Sequence, residues 1–149
     1  AASVPRSNAP LESTIASIQY AVRRQGIQDL VVCTHLCCDV MRHWIKLLEF
    51  EEANQPESRF IRNARDTVDL LYRYTTQGER QVLMTCEHTL FQLENLRSHT
   101  FIRERLKSGD LRLHGWVVDD TTARVLAYQP DAHQFVSIEK TVMPKRLID

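Results

Sequence analysis

The run Asp29-Leu30-Val31-Val32-Cys33-Thr34-His35-Leu36-Cys37-Cys38 is apolar at its start and ends in an imidazole followed, three residues later, by a thiol. A strand of β-branched residues that runs out into a turn can hold a His nitrogen and a thiolate near one point, and nitrogen plus sulfur is the donor chemistry of tetrahedral zinc. His35 and Cys38 supply half of such a site, and the other half must lie elsewhere. The bland reading of the pair is a buried histidine beside a small core thiol. Cys37 adjoins Cys38, but neighbouring cysteines close only a strained disulfide, so the two read as chance neighbours. A structural zinc completed by Cys37 is geometrically awkward. Cys86 falls on the apolar face of a helix and reads as a core residue. His114 and Trp116 share one strand face and read as structural, whereas His43, His88, His99 and His133 show no partner spacing and are expected at the surface or at caps.

The elements that position the pair follow from periodicity. Residues 1–10 carry Pro5, Pro10, Ser3, Ser7 and Asn8 and predict an irregular arm. Leu11, Ile15, Ile18 and Val22 recur at helical spacing and Gly26 terminates them, which predicts a helix over 12–25 and a buried strand over 29–34. Met41, Trp44, Ile45 and Leu48 then form one stripe, so the turn bearing His35 and Cys38 leads into another helix. Glu49, Glu51 and Glu52 mark a solvated helix end, and the charged stretch from Glu51 to Ser58, with Pro56, is a break. A helix over 58–76, with Ile61, Ala64, Val68, Leu71 and Tyr72 inward, is expected to end at Gly78. Another over 79–97 turns Leu83, Cys86, Leu90 and Leu93 inward, and a short one with Phe101, Ile102 and Leu106 stops at Gly109. Strand-like patterns at 111–118 and 124–128, joined by a polar connection, predict a hairpin, with a C-terminal tail from about 137. The expected fold is α/β, a mostly parallel sheet flanked by helices and closed by an antiparallel C-terminal hairpin.

Composition narrows the function classes. A chain of 149 residues without internal repeats reads as a single domain, 1–149. Lys plus Arg equal Asp plus Glu at 19 each, so the formal net charge is zero and no surplus of cations is available for phosphate backbones; nucleic acid is not an expected partner. The longest apolar runs are far too short to span a bilayer, and the N-terminus lacks the order of a signal peptide. Three of the four cysteines crowd into residues 33–38, unlike a secreted disulfide framework, which points to a reducing, cytoplasmic compartment and to metal or thiol chemistry.

Several segments together resemble the β-class carbonic anhydrases. Ile15 to Val22, then Leu30 to Cys38 with Met41, then Leu90 to Leu96, Gly109 to Trp116, Val125 to Tyr128 and Phe135 follow that family's order and approximate spacing over roughly residues 12–136. The likeness is greatest to the cyanobacterial, carboxysome-associated branch. It implies a zinc enzyme that interconverts carbon dioxide and bicarbonate, with His35 and Cys38 as metal ligands and water or substrate at an open position. The family's remaining thiolate comes from an earlier strand with a Cys-x-Asp-Ser-Arg motif, which residues 1–28 do not contain. Val4 to Pro10 echoes the segment that follows that motif. A sheet lacking such a strand exposes unpaired backbone, so a homo-oligomer, or a partner chain completing the sheet, is expected. Thr34 stands where the family usually has glycine before the ligand His, and Asp39 where it has glycine after the ligand Cys. A Cβ at Thr34 narrows the space at the substrate oxygen, and the Asp39 carboxylate adds negative charge beside a bicarbonate site. These departures predict reduced catalysis, and the alternative is a catalytically inactive homologue that keeps the fold for assembly or regulation.

Overall fold

The fold was analysed in a computed structural model that describes residues 4–8, 13–49, 59–72 and 75–138. The apolar spacing of the first segment yields α1 (Ser13–Tyr20), which runs into a π-helical turn (Ala21–Gln25). Gly26 ends it at φ 64°, a left-handed conformation that a side chain disfavours. The chain then enters β1 (Asp29–His35), α2 (Asp39–Glu49), α3 (Arg59–Leu71), α4 (Gln77–Ser98) and α5 (Thr100–Lys107). Three strands follow, β2 (Arg112–Asp119), β3 (Arg124–Gln129) and β4 (Gln134–Ile138).

The sheet has the order β1-β2-β3-β4. β1 and β2 are parallel, in a register that runs from Asp29 opposite Arg112 to His35 opposite Val118. β2–β3 and β3–β4 are antiparallel. The class is therefore α/β with an antiparallel C-terminal end, and the parallel character of the sheet resides in the β1–β2 pair. β4 is an addition to the expected hairpin: its side chains are mostly exposed, so it lacks the apolar alternation by which a strand is recognised. β1 stands at the edge of the sheet, and among the described residues no strand pairs with its outer side.

Two apolar clusters hold the layers together. Met41 and Trp44 of α2 pack with Ile61, Ala64 and Val68 of α3 and Met84 of α4, and Cys38 joins them. Ile15, Val22, Phe101, Ile102 and Leu111 form the second cluster, between α1, α5 and the entry to β2. α4 lies across β1 and β2. Gly115 of β2 lets it approach closely, because a Cβ there would lie 3.0 Å from Leu93 Cδ1 and 3.3 Å from Thr89 Cγ2.

Some expectations need correction. α3 stops at Leu71, and Gly78 lies within the first turn of α4 instead of closing α3. A capping box between Thr76 and Glu79 starts α4 there: the Thr76 hydroxyl accepts from Glu79 N while the Glu79 carboxylate accepts from Thr76 N. Leu71 and Tyr72, expected inward, are exposed: Leu71 is the last residue of α3 and Tyr72 lies just beyond it. On α4 the buried face carries Met84, Thr85, His88, Thr89, Gln92, Leu93 and Leu96, whereas Leu83, Cys86 and Leu90 are only half-buried. His88 is buried within α4 instead of lying at the surface or at a cap, whereas His99, also buried, is a cap as expected, closing α4 and opening α5. The Glu51–Ser58 break, Leu11, and the tail beyond Ile138 lie outside the described residues.

Candidate metal centre

The carboxyl end of β1 is held in place from both sides. Leu36 N donates to Val118 O at 2.9 Å, continuing the parallel ladder one residue past His35. Gln81 Nε2 of α4 donates to Leu36 O at 2.9 Å. The chain then turns, and Cys38 O accepts from Arg42 N at 3.0 Å in the first turn of α2. Strand, turn and helix thereby place His35 and Cys38 on the wall of one cavity of about 520 Å³. The cavity runs along the free edge of β1 and is bounded by Ile18 of α1, Met41 of α2, and His88, Gln92 and Leu96 of α4.

The N-terminal arm closes one side of it. Val4 N donates to Gln92 Oε1 at 2.6 Å, and Asn95 Nδ2 donates to Val4 O at 2.8 Å. His99 Nε2 lies 2.8 Å from Pro5 O, and since a carbonyl only accepts, the ring proton sits on Nε2. His99 is therefore a buried anchor for the arm.

The two candidate ligands differ in setting. Cys38 is 5 % exposed and packs among Met41, Trp44 and Met84. His35 is half exposed, and its Nδ1 lies 2.9 Å from Asp120 Oδ2 in the β2–β3 turn. The same turn touches the ligand turn again where Cys37 Sγ lies 3.8 Å from Thr121 Oγ1.

The lining residues Thr34 and Asp39 are each bonded to a neighbour. The Thr89 hydroxyl donates to Thr85 O at 2.8 Å, so the Thr34 hydroxyl, 2.7 Å from Thr89 Oγ1, is the donor to it and is turned toward α4. Asp39 forms an ion pair with Arg42, which also donates to Cys37 O at 3.3 Å. The carboxylate expected to repel an anion is thus matched by a guanidinium one turn along the same helix.

An imidazole and a thiol on one wall match zinc in donor type. They do not match it in number, because among the described residues no three His, Cys, Asp or Glu side chains are grouped to hold a metal. Asp120 is the site residue that sequence reading overlooks. The signal that finds it is the register, which sets His35 opposite Val118, two residues before Asp120.

Comparison with known proteins identifies the family and the fold. A family model described as carbonic anhydrase matches residues 1–125. A carbonic anhydrase of Synechocystis sp. is 30% identical over 130 residues, which cover 85% of this chain and 47% of that protein. One from Synechococcus elongatus is 31% identical over 115 residues, covering 74% of this chain and 42% of the relative. This chain thus spans about half the length of these curated relatives. Among solved structures, the β-carbonic anhydrase CcaA superposes with a TM-score of 0.78 at 29% identity, covering 91% of this chain and 68% of the other. With the family model matched over most of its length and the architecture shared, the chain belongs to the β-carbonic anhydrase family.

Proposed function

We propose that this chain carries the zinc-binding region of an enzyme that reversibly hydrates carbon dioxide to bicarbonate, with His35 and Cys38 as metal ligands and the remaining protein ligand delivered by a strand seated along the free edge of β1. The observation that supports this most directly is that the two donors share one cavity lined by β1, whose outer edge no described strand pairs with. A strand added there would lie beside His35 and Cys38, where a further donor is needed. Bound zinc lowers the pKa of its water to about 7 and so makes hydroxide available as a nucleophile at neutral pH. Ile18, Leu30 and Met41 give the cavity apolar walls suited to an uncharged gas, while Arg42 offsets the charge of Asp39 at its rim. We read the chain as one cytoplasmic domain that associates with a second copy or a partner chain, and the cyanobacterial relatives support the carboxysome-associated branch as its setting.

Elemental analysis of the full-length protein together with rapid-mixing hydration tests the proposal. The expected result is stoichiometric zinc and turnover that a metal-binding anion inhibits, both lost in Cys38→Ser. A second reading, a catalytically inactive homologue retained for assembly, draws on the same shortage of donors among the described residues. It predicts a folded protein without zinc or turnover, in which Cys38→Ser changes neither stability nor association, and that outcome would overturn the enzyme reading.

A further inference from the structure

We infer that Asp120 is a positioning residue that fixes His35 in the tautomer with its proton on Nδ1, leaving Nε2 as the metal-ligating atom. The inference rests on the zinc reading of the site, and its argument begins with the turn. Asp119, not Asp120, builds the β2–β3 connection: its carboxylate accepts from Thr121 N at 2.9 Å, Thr122 N at 3.3 Å and Thr122 Oγ1 at 2.6 Å. Asp120 is thereby left with its carboxylate free to reach across to β1. The parallel register delivers it, since Val118 is level with His35 and Leu36 N is tied to Val118 O. At 2.9 Å between Nδ1 and Oδ2, a carboxylate that only accepts requires Nδ1–H as donor.

A neutral imidazole carries one ring proton, so holding it on Nδ1 leaves the Nε2 lone pair unprotonated. The same bond fixes the ring plane and increases the electron donation of Nε2, and loss of such outer partners typically weakens metal binding 10- to 100-fold. Asp120 makes no contact with substrate or metal in this scheme. Its effect passes entirely through His35.

The test reads the ring first and the metal second. Long-range ¹H–¹⁵N correlation spectra of the metal-free full-length protein should show His35 protonated on Nδ1. Asp120→Ala should abolish that preference with the Asp119 turn intact, whereas Asp120→Asn, whose amide oxygen still accepts, should retain it. Cobalt(II) affinity, followed by its d–d absorption in competition with a chelator, should fall 10- to 100-fold in Asp120→Ala and recover in part in Asp120→Asn. The inference is overturned if the His35 tautomer is the same in the wild type and Asp120→Ala, or if both proteins bind cobalt and do so with equal affinity. A wild type that takes up no cobalt yet shows the Nδ1–H tautomer, lost in Asp120→Ala, would support Asp120's hold on the ring and overturn the metal reading instead.

Discussion

The four cysteines illustrate how strongly setting, not residue type, decides reactivity. Cys33 and Cys37 are exposed, Cys38 is buried in the α2–α3–α4 cluster, and Cys86 is partly buried on α4. Burial, reinforced by the charge of neighbouring Glu87, pushes the Cys86 thiol up from 9.0 to about 12. Since the thiolate is the reactive form, Cys86 is expected to alkylate far more slowly than Cys33 and Cys37 when the native protein meets iodoacetamide at pH 8. Peptide mapping of a time course checks this, and equal labelling of Cys86 and Cys33 would contradict the packing described. The shift also fixes a sign for stability. A thiol whose folded pKa lies above its unfolded one contributes stability that is complete below pH 9 and is lost as the pH rises toward 12. The sequence places Cys86 on the apolar face of its helix as a core residue; the structure leaves it half-buried beside the buried face, and that burial still suppresses the thiolate.

At the scale of elements, the helices were legible because an apolar stripe at helical spacing is a local property, while the features that depend on two distant segments were not. Gly78 reads as a terminator because glycine punctuates helices; the competing signal, Thr76 with Glu79 three residues on, starts one instead. Thr85, Thr89 and Gln92 are buried on α4 because their polar atoms bond to Gln81 O, Thr85 O and Val4 N. A search for apolar positions passes over such a face. Asp120 was invisible for the same reason, since its bond to His35 spans 85 residues and exists only once β1 and β2 are in register. Asp29 shows what that register also does at the opposite end of the pair. Hydrogen bonds from Arg112 and then His114, at 2.7–2.8 Å, hold its carboxyl down to about 2 from the usual 3.8. A depressed carboxylate contributes stability above its unfolded pKa and loses it as pH falls through the folded value, so the window here runs from about 3.8 down to about 2. Urea unfolding of wild type and Asp29→Asn is therefore expected to differ at pH 6 and to converge as the pH falls through that window, with the difference reduced by salt because the pair is solvent-exposed. A difference that is constant across the range would show that Asp29 does not link the strands electrostatically.

For the whole molecule, the decisive feature is the outer edge of β1. Leu36 N bonds to Val118 O and Gln28 O accepts from Arg112 N, so the even-numbered residues of this stretch direct their backbone groups toward β2. By the alternation of a strand, Val31, Cys33 and His35 direct theirs outward, along the cavity. Among the described residues this row is unpaired, which invites another strand, and on the proposed zinc reading the donors at its end need a further ligand. Val31→Pro separates this edge from the rest of the fold, because proline is tolerated on an edge whose N–H faces outward and leaves the β1–β2 bonds untouched. The variant is expected to keep its circular dichroism spectrum and to lose zinc, since the strand that completes the site can no longer pair in full. Light scattering then identifies where that strand comes from. If a second copy supplies it, Val31→Pro lowers the molar mass together with the zinc content; if the same polypeptide supplies it, zinc falls while the mass is unchanged. Full zinc content at unchanged mass would mean that the edge is not used at all, and the third ligand would have to reach His35 and Cys38 from another direction.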